Sequence, residues 1–95
     1  LLSLKLYVTG LTPSSQQLIQ QLRTLLTHYY ADDYTLAVLD IFEHPQEAYD
    51  DVIYATPTLV KILPLPVTQI IGNLSDRERV LAGLQIKHLQ PIHFS

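Results

Sequence analysis

A mixed α/β fold with the element order βαβαββα is predicted by three features of this 95-residue chain. An alternating apolar segment opens it, a long helical stripe follows, and two short apolar runs flank a proline-rich turn in the second half. In the opening segment Leu2, Leu4, Leu6 and Val8 alternate with Ser3, Lys5, Tyr7 and Thr9, the period of a strand with one face in the core, and Gly10 ends it. Thr12 suits a helix N-cap and Pro13 the first helical position, where its missing N–H costs nothing. Leu18, Ile19, Leu22, Leu25, Leu26 and Tyr29 then recur at helical spacing, a stripe that must pack on a sheet, and the polar Ala31-Asp32-Asp33 turn stops the helix.

Tyr34 to Ile41 reads as the second strand, and its run of Leu36, Ala37, Val38 and Leu39 suits a strand covered on both faces. Strand, helix and strand make a right-handed parallel crossover. His44-Pro45 starts a short acidic helix through Asp51, with Ala48 and Val52 on its inner side. Thr58 to Leu63 and Val67 to Ile71 are two strands joined by Pro64-Leu65-Pro66, a link short enough to make them antiparallel. Ser75-Asp76-Arg77-Glu78 reads as a capping box that opens a third helix through Val80, Leu81 and Leu84, which Pro91 keeps from running to the end.

Ala55-Thr56-Pro57-Thr58, just ahead of an apolar strand, resembles the threonine-proline turn of a thioredoxin-like domain. The Thr56–Pro57 bond is cis in that setting, whereas a trans proline that simply starts a strand is the general expectation. Where such a domain carries its thiols, between the first strand and first helix, this chain has Thr12-Pro13-Ser14-Ser15, and it contains no cysteine. A hydroxyl without a His or Lys beside it is a poor substitute for a thiolate. The chain therefore reads as a binding protein and not an enzyme.

Ninety-five residues, 1–95, are expected to form one domain. Charged residues make up only 16% against 47% hydrophobic ones, which leaves a surface prone to associate with itself or a partner. A net charge of −3 without a basic cluster argues against nucleic acid. The apolar runs fall far short of the ~20 residues that span a bilayer, so neither a membrane span nor a signal peptide is expected, and the cytoplasm is the expected compartment. A chain that starts at Leu1 and not Met leads us to expect residues upstream. His28, His44, His88 and His93 share no metal-binding spacing, so no metal and no cofactor is expected. Asp32-Asp33 and Asp50-Asp51 read as solvated turns and helix ends, and Ser14 and Ser15 as partners for open N–H groups of the first helical turn. No phosphate loop, dinucleotide fingerprint or nucleophile elbow is present. Val60-Lys61-Ile62-Leu63 lies between strand and helix periodicity, and Gly83 costs a helix about 1 kcal/mol relative to Ala. Such weak points are compatible with a second packing that differs by a few kcal/mol.

Leu4-Lys5-Leu6-Tyr7-Val8, Gly10 with Thr12-Pro13, Ala55-Thr56-Pro57-Thr58-Leu59, Leu63-Pro64-Leu65-Pro66-Val67, Ile70-Ile71-Gly72 with Leu74-Ser75, Arg77-Glu78, Val80-Leu81 and Gly83-Leu84 together resemble the circadian clock protein family KaiB, from about residue 3 to residue 86. The resemblance implies a non-enzymatic regulator that rests as a homo-oligomer, a tetramer of βαββααβ chains or a dimer. It implies also a thioredoxin-like βαβαββα monomer that binds a KaiC-type ATPase ring, captures KaiA and displaces the SasA-type kinase. Only the part after roughly residue 50 changes. On that resemblance Pro57, Pro64, Pro66, Gly83 and Gln85 are the expected fold-switch residues, and Lys5, Tyr7, Glu43 and Lys61 the expected partner-binding residues.

Departures from the family pattern narrow this reading. Gln17, Glu43, Thr68 and Gln69 stand where similar proteins carry basic residues, which alters steering toward partners. His88 to Ser95 replaces an acidic tail, and Gln85 stands where an aspartate is expected. Since an acid late in a helix opposes the macrodipole, Gln85 should favour the thioredoxin-like state by about 0.3 to 1 kcal/mol. Three alternatives stay open: a divergent paralogue acting in stress adaptation, a KaiB-like sensor domain of a SasA-type histidine kinase, and a glutathione-dependent transferase or degenerate thioredoxin.

Overall fold

The computed structural model describes residues 1–85 and has the predicted order: β1 (Leu2–Val8), α1 (Pro13–Tyr30), β2 (Tyr34–Asp40), α2 (Pro45–Asp50), β3 (Thr58–Leu63), β4 (Thr68–Ile71) and α3 (Arg77–Gly83). The four strands lie in the order β2-β1-β3-β4. β1 and β2 run parallel, as the crossover requires, while β3 is antiparallel to both β1 and β4.

The alternation in β1 sorts its side chains between two cores. Leu2, Leu4, Leu6 and Val8 join Leu18, Leu22, Leu25 and Leu26 of α1, Val80 of α3, and Leu36, Leu59 and Ile70 of the other strands. Each such leucine, fully withdrawn from water, contributes about 1.5–3 kcal/mol. Tyr7 belongs to a smaller cluster on the opposite face with Leu39, Val60 and Ala48 of α2. Helices α1 and α3 thus cover one face of the sheet and α2 the other.

The starts of the helices follow from local chemistry. Thr12 Oγ1 accepts the Ser15 N–H at 3.1 Å, and Pro13 occupies the first helical position. Gly10, at φ 76°, turns the chain between β1 and α1 in a conformation that favours glycine. In α3 the cap is one residue later than expected: Asp76, not Ser75, caps the helix, its carboxylate accepting the Arg79 N–H.

Three further expectations are corrected. β4 begins at Thr68, not Val67. β2 ends at Asp40 and is one of the two edge strands; it is covered only in part, with Thr35 and Ala37 exposed, and the inner strand β3 is buried on both faces over Thr58 to Lys61. Val52 does not face inward: it is exposed, with φ 56°, and Ile53 packs into the smaller cluster in its place. The expected helix stop at Pro91 and the residues His88, His93 and His88 to Ser95 lie outside the described residues.

Candidate partner-binding face

Lys5 and Tyr7 stand two residues apart on β1, so period two turns both toward α2. There they meet the end of that helix. Lys5 Nζ lies 3.0 Å from Asp51 Oδ2 and 3.7 Å from Glu47 Oε2. The Tyr7 hydroxyl donates to the same Asp51 oxygen and lies 3.3 Å from the Glu47 carbonyl. Asp51 is the C-cap residue of α2, where a negative charge opposes the helix dipole, and Lys5 supplies the compensating cation. Asp51 therefore is no solvated helix end, as the sequence alone led us to read it. Asp50 does fit that reading: it is exposed, and among the described residues its carboxylate accepts only from Gln46, one turn earlier, at 2.9 Å.

Burial pushes the Tyr7 hydroxyl well above the usual tyrosine range, and the Asp51 bond and charge push it further. For Asp51, burial pushes the carboxyl up, but the hydrogen bonds from Tyr7 and Lys5 outweigh it and hold it below the usual carboxylate range. The pair is thus a neutral phenol donating to a carboxylate anion at neutral pH. Asp51 is tied a third way, since Gln69 Nε2 of β4 donates to its carbonyl oxygen at 2.7 Å.

Large apolar side chains stand exposed on either side of this cluster in sequence. Phe42, Tyr49, Val52 and Tyr54 are all exposed, Tyr54 at 86% of its surface. Phe42 is fixed by its N–H to Asp40 Oδ1 (3.0 Å), the same oxygen that receives the Gly10 N–H (3.1 Å). Glu43 follows in this turn, exposed, its N–H on the Asp40 carbonyl at 2.9 Å. Exposed aromatic side chains, with Glu43, Glu47, Asp50 and Asp51 between them in sequence, are the composition of a protein-binding surface.

Of the four expected contact residues, then, Lys5 and Tyr7 meet in one cluster, and Glu43 lies on the exposed turn before α2. Lys61 is elsewhere: it sits opposite Leu4 on the other face of the sheet and is 2% exposed. Beside it, across β4, Thr68 Oγ1 is buried without a hydrogen-bond partner among the described residues. Tyr7 and Lys61 are too deeply buried to offer a partner a surface in this arrangement. The sequence reading missed Asp51, Glu47, Gln69 and the exposed aromatic side chains. Only the acid run in α2 hinted at the first two.

The expected fold-switch residues fall together in the second half. The Thr56–Pro57, Leu63–Pro64 and Leu65–Pro66 bonds are all cis. Gly83 ends α3, and its glycine has a packing reason: a Cβ there would come within 2.5 Å of Ile70 Cδ1. Gln85 lies just past the helix in the left-handed region, at φ 62°, not inside the helix as the dipole argument assumed.

At the Thr12–Ser15 turn a cleft of about 410 Å³ is lined by Ser14, Ser15, Gln17, Thr56, Pro57 and Ser75 among others. The Ser15 hydroxyl accepts from the Thr12 hydroxyl at 3.2 Å, so Thr12 and not Ser15 serves the open N–H, and neither His nor Lys lines the cleft. No group of three metal-ligating side chains is present among the described residues, and none of their helices is long and apolar enough to cross a membrane.

Fold and site together define a protein of thioredoxin-like fold without cysteine, with exposed aromatic and acidic side chains in and beside α2. The KaiB domain family matches residues 5–86. The chain is 54% identical over 83 residues to the circadian clock oscillator protein KaiB of Prochlorococcus marinus, covering 87% of this chain and 70% of that protein. It is 52% identical to the KaiB of Synechococcus elongatus, covering 87% and 81%. Among solved structures, the N-terminal domain of Synechococcus elongatus SasA superposes with a TM-score of 0.75 at 26% identity, over 98% of this chain and 89% of that one. Mitochondrial thioredoxin 3 of Saccharomyces cerevisiae shares the fold, at a TM-score of 0.70 and 19% identity over 90% and 77%. The chain belongs to the KaiB family.

Proposed function

We propose that this chain is a non-enzymatic clock regulator that binds a KaiC-type ATPase ring in the thioredoxin-like state described above. The observation that carries the reading is the exposure of Phe42, Tyr49 and Tyr54 in and beside α2, next in sequence to the acids that Lys5 and Tyr7 engage, in a chain whose relatives are named as clock oscillator proteins. Such an arrangement serves docking, since aromatic anchors supply most of the binding energy at an interface and acids beside them select the partner. In this reading Glu43 touches the partner, Lys5 and Tyr7 hold the face in shape, and Pro57, Pro64, Pro66, Gly83 and Gln85 lie in the part that repacks in a resting homo-oligomer, with Lys61. KaiA and a SasA-type kinase are the further partners, and the likeness to the SasA N-terminal domain supports competition for one ring surface.

The test is size-exclusion chromatography of the chain with and without a KaiC-type ring plus ATP. Co-elution supports the reading. Separate elution at every concentration overturns it and promotes a paralogue outside the core clock, which the uncharged Gln17, Thr68 and Gln69 and the acidic Glu43 favour.

A further inference from the structure

We propose that Asp51 is a positioning residue that clasps the α2–β3 connection to the sheet and so sets the orientation of the exposed Tyr49 and Tyr54 rings. The inference deepens the function proposed above and rests on it for the role of those rings. Its basis is the number of separate elements that meet at one residue. The Asp51 carboxylate receives Lys5 Nζ and the Tyr7 hydroxyl from β1, 46 and 44 residues away in sequence. The Asp51 carbonyl receives Gln69 Nε2 from β4. No other described hydrogen bond joins the 45–55 segment to β4 by a side chain. The middle strand β3, which follows this connection in sequence, is thus bracketed from both sides.

What the clasp holds is otherwise weakly held. Helix α2 has six residues, too short to persist without tertiary contacts, and buries only Ala48. Val52, which follows Asp51, is β-branched, exposed and at φ 56°, a conformation an L-residue with a branched side chain leaves unless its neighbours fix it. Its N–H reaches the Tyr49 carbonyl at 3.1 Å and the Ile53 N–H the Ala48 carbonyl at 3.0 Å, bonds that exist only in this turned-back conformation. Tyr49 and Tyr54 flank that turn, so its geometry decides where both rings point. Gln69 matters because a neutral amide donates to a carbonyl at this distance without competing with Lys5 for the carboxylate.

Native-state amide hydrogen exchange of Asp51→Asn and Gln69→Ala tests the clasp. Removing the Asp51 charge is expected to speed exchange of the Val52 and Ile53 amides about tenfold, with the amides of β1 and α1 unchanged. Gln69→Ala, which leaves the charges in place, is expected to give the same local pattern at severalfold. Unchanged exchange at Val52 and Ile53, or a uniform rise across α1 and β1 as well, overturns the proposal. A localised rise accompanied by weaker capture by a KaiC-type ring supports it in full. If the unaltered chain binds no ring, the function proposed above fails, and the localised exchange still establishes the clasp.

Discussion

Replacing Tyr7 by Phe removes one oxygen from a site whose partners are known, which makes its cost open to calculation. The Tyr7 ring stays in place, fully buried against Leu39, Ala48 and Val60. What is lost is the donor to Asp51 and to the Glu47 carbonyl. A hydrogen bond to a charged group contributes about 1.5–3 kcal/mol. The Asp51 side chain keeps Lys5 and remains 25% exposed, so water takes over part of the lost donation, and the expected destabilisation is about 1–2 kcal/mol at pH 7. The pH dependence identifies the cause. Asp51 has its folded-state pKa depressed, so its contribution is fully present above the ordinary aspartate value of about 3.9 and is lost as pH falls through the folded value. Without the Tyr7 donor that depression is smaller, and the deficit of the variant should narrow below about pH 4. The Tyr7 pKa is raised, so the parent chain loses stability as pH climbs beyond about 10; the Phe variant keeps the similar loss from buried Tyr30 but not the share from Tyr7, so its deficit should narrow there. Urea denaturation at pH 3, 7 and 10.5 measures all three. A deficit equal at pH 7 and pH 3 would refute the charged hydrogen bond and leave only packing as the role of Tyr7.

Val52→Asn should raise stability by about 0.5–1 kcal/mol, because Asn tolerates a positive φ that costs a β-branched residue roughly 1–2 kcal/mol, while the exposed valine gives up little burial. A lower thermal midpoint would show that the valine makes up for its strain elsewhere. Gln85→Asp places an anion just beyond the carbonyl end of α3, where Leu84 and Gln85 still donate to the last turn, and should disfavour the helical state by about 0.3–1 kcal/mol. Far-UV circular dichroism with sizing reads the shift, and an unchanged oligomer distribution counts against the role given to Gln85.

The fold was legible because its signals are local. Alternation in Leu2–Val8, the α1 stripe and the Thr12-Pro13 cap each act within a few residues, and all three appear as read. The errors have physical sources as well. Ser75 and Asp76 are equally good caps, and only the backbone turn at Asp76 decides between them. The lack of period in Val60-Lys61-Ile62-Leu63 comes from a middle strand covered on both faces, so neither face is polar. The apolar run of β2 invited the same reading, yet it forms an edge from which only Leu39 joins the buried cluster that includes Ala48 of α2. Lys5 and Tyr7 were reachable through family resemblance, whereas Asp51 was not, since its partners lie more than forty residues away and no periodicity reports such a pairing. Val52 looked internal because helical spacing was carried past Asp50, where the helix ends.

We propose that the portion after about residue 50 has two packings of similar free energy and that a KaiC-type ring selects the thioredoxin-like one. Two-dimensional NMR of the isotopically labelled chain, alone and with the ring and ATP, tests it most directly. Two sets of resonances are expected for residues beyond about 50 and one set before them, with the ring drawing the thioredoxin-like set into the complex. One set throughout, indifferent to the ring, would contradict it.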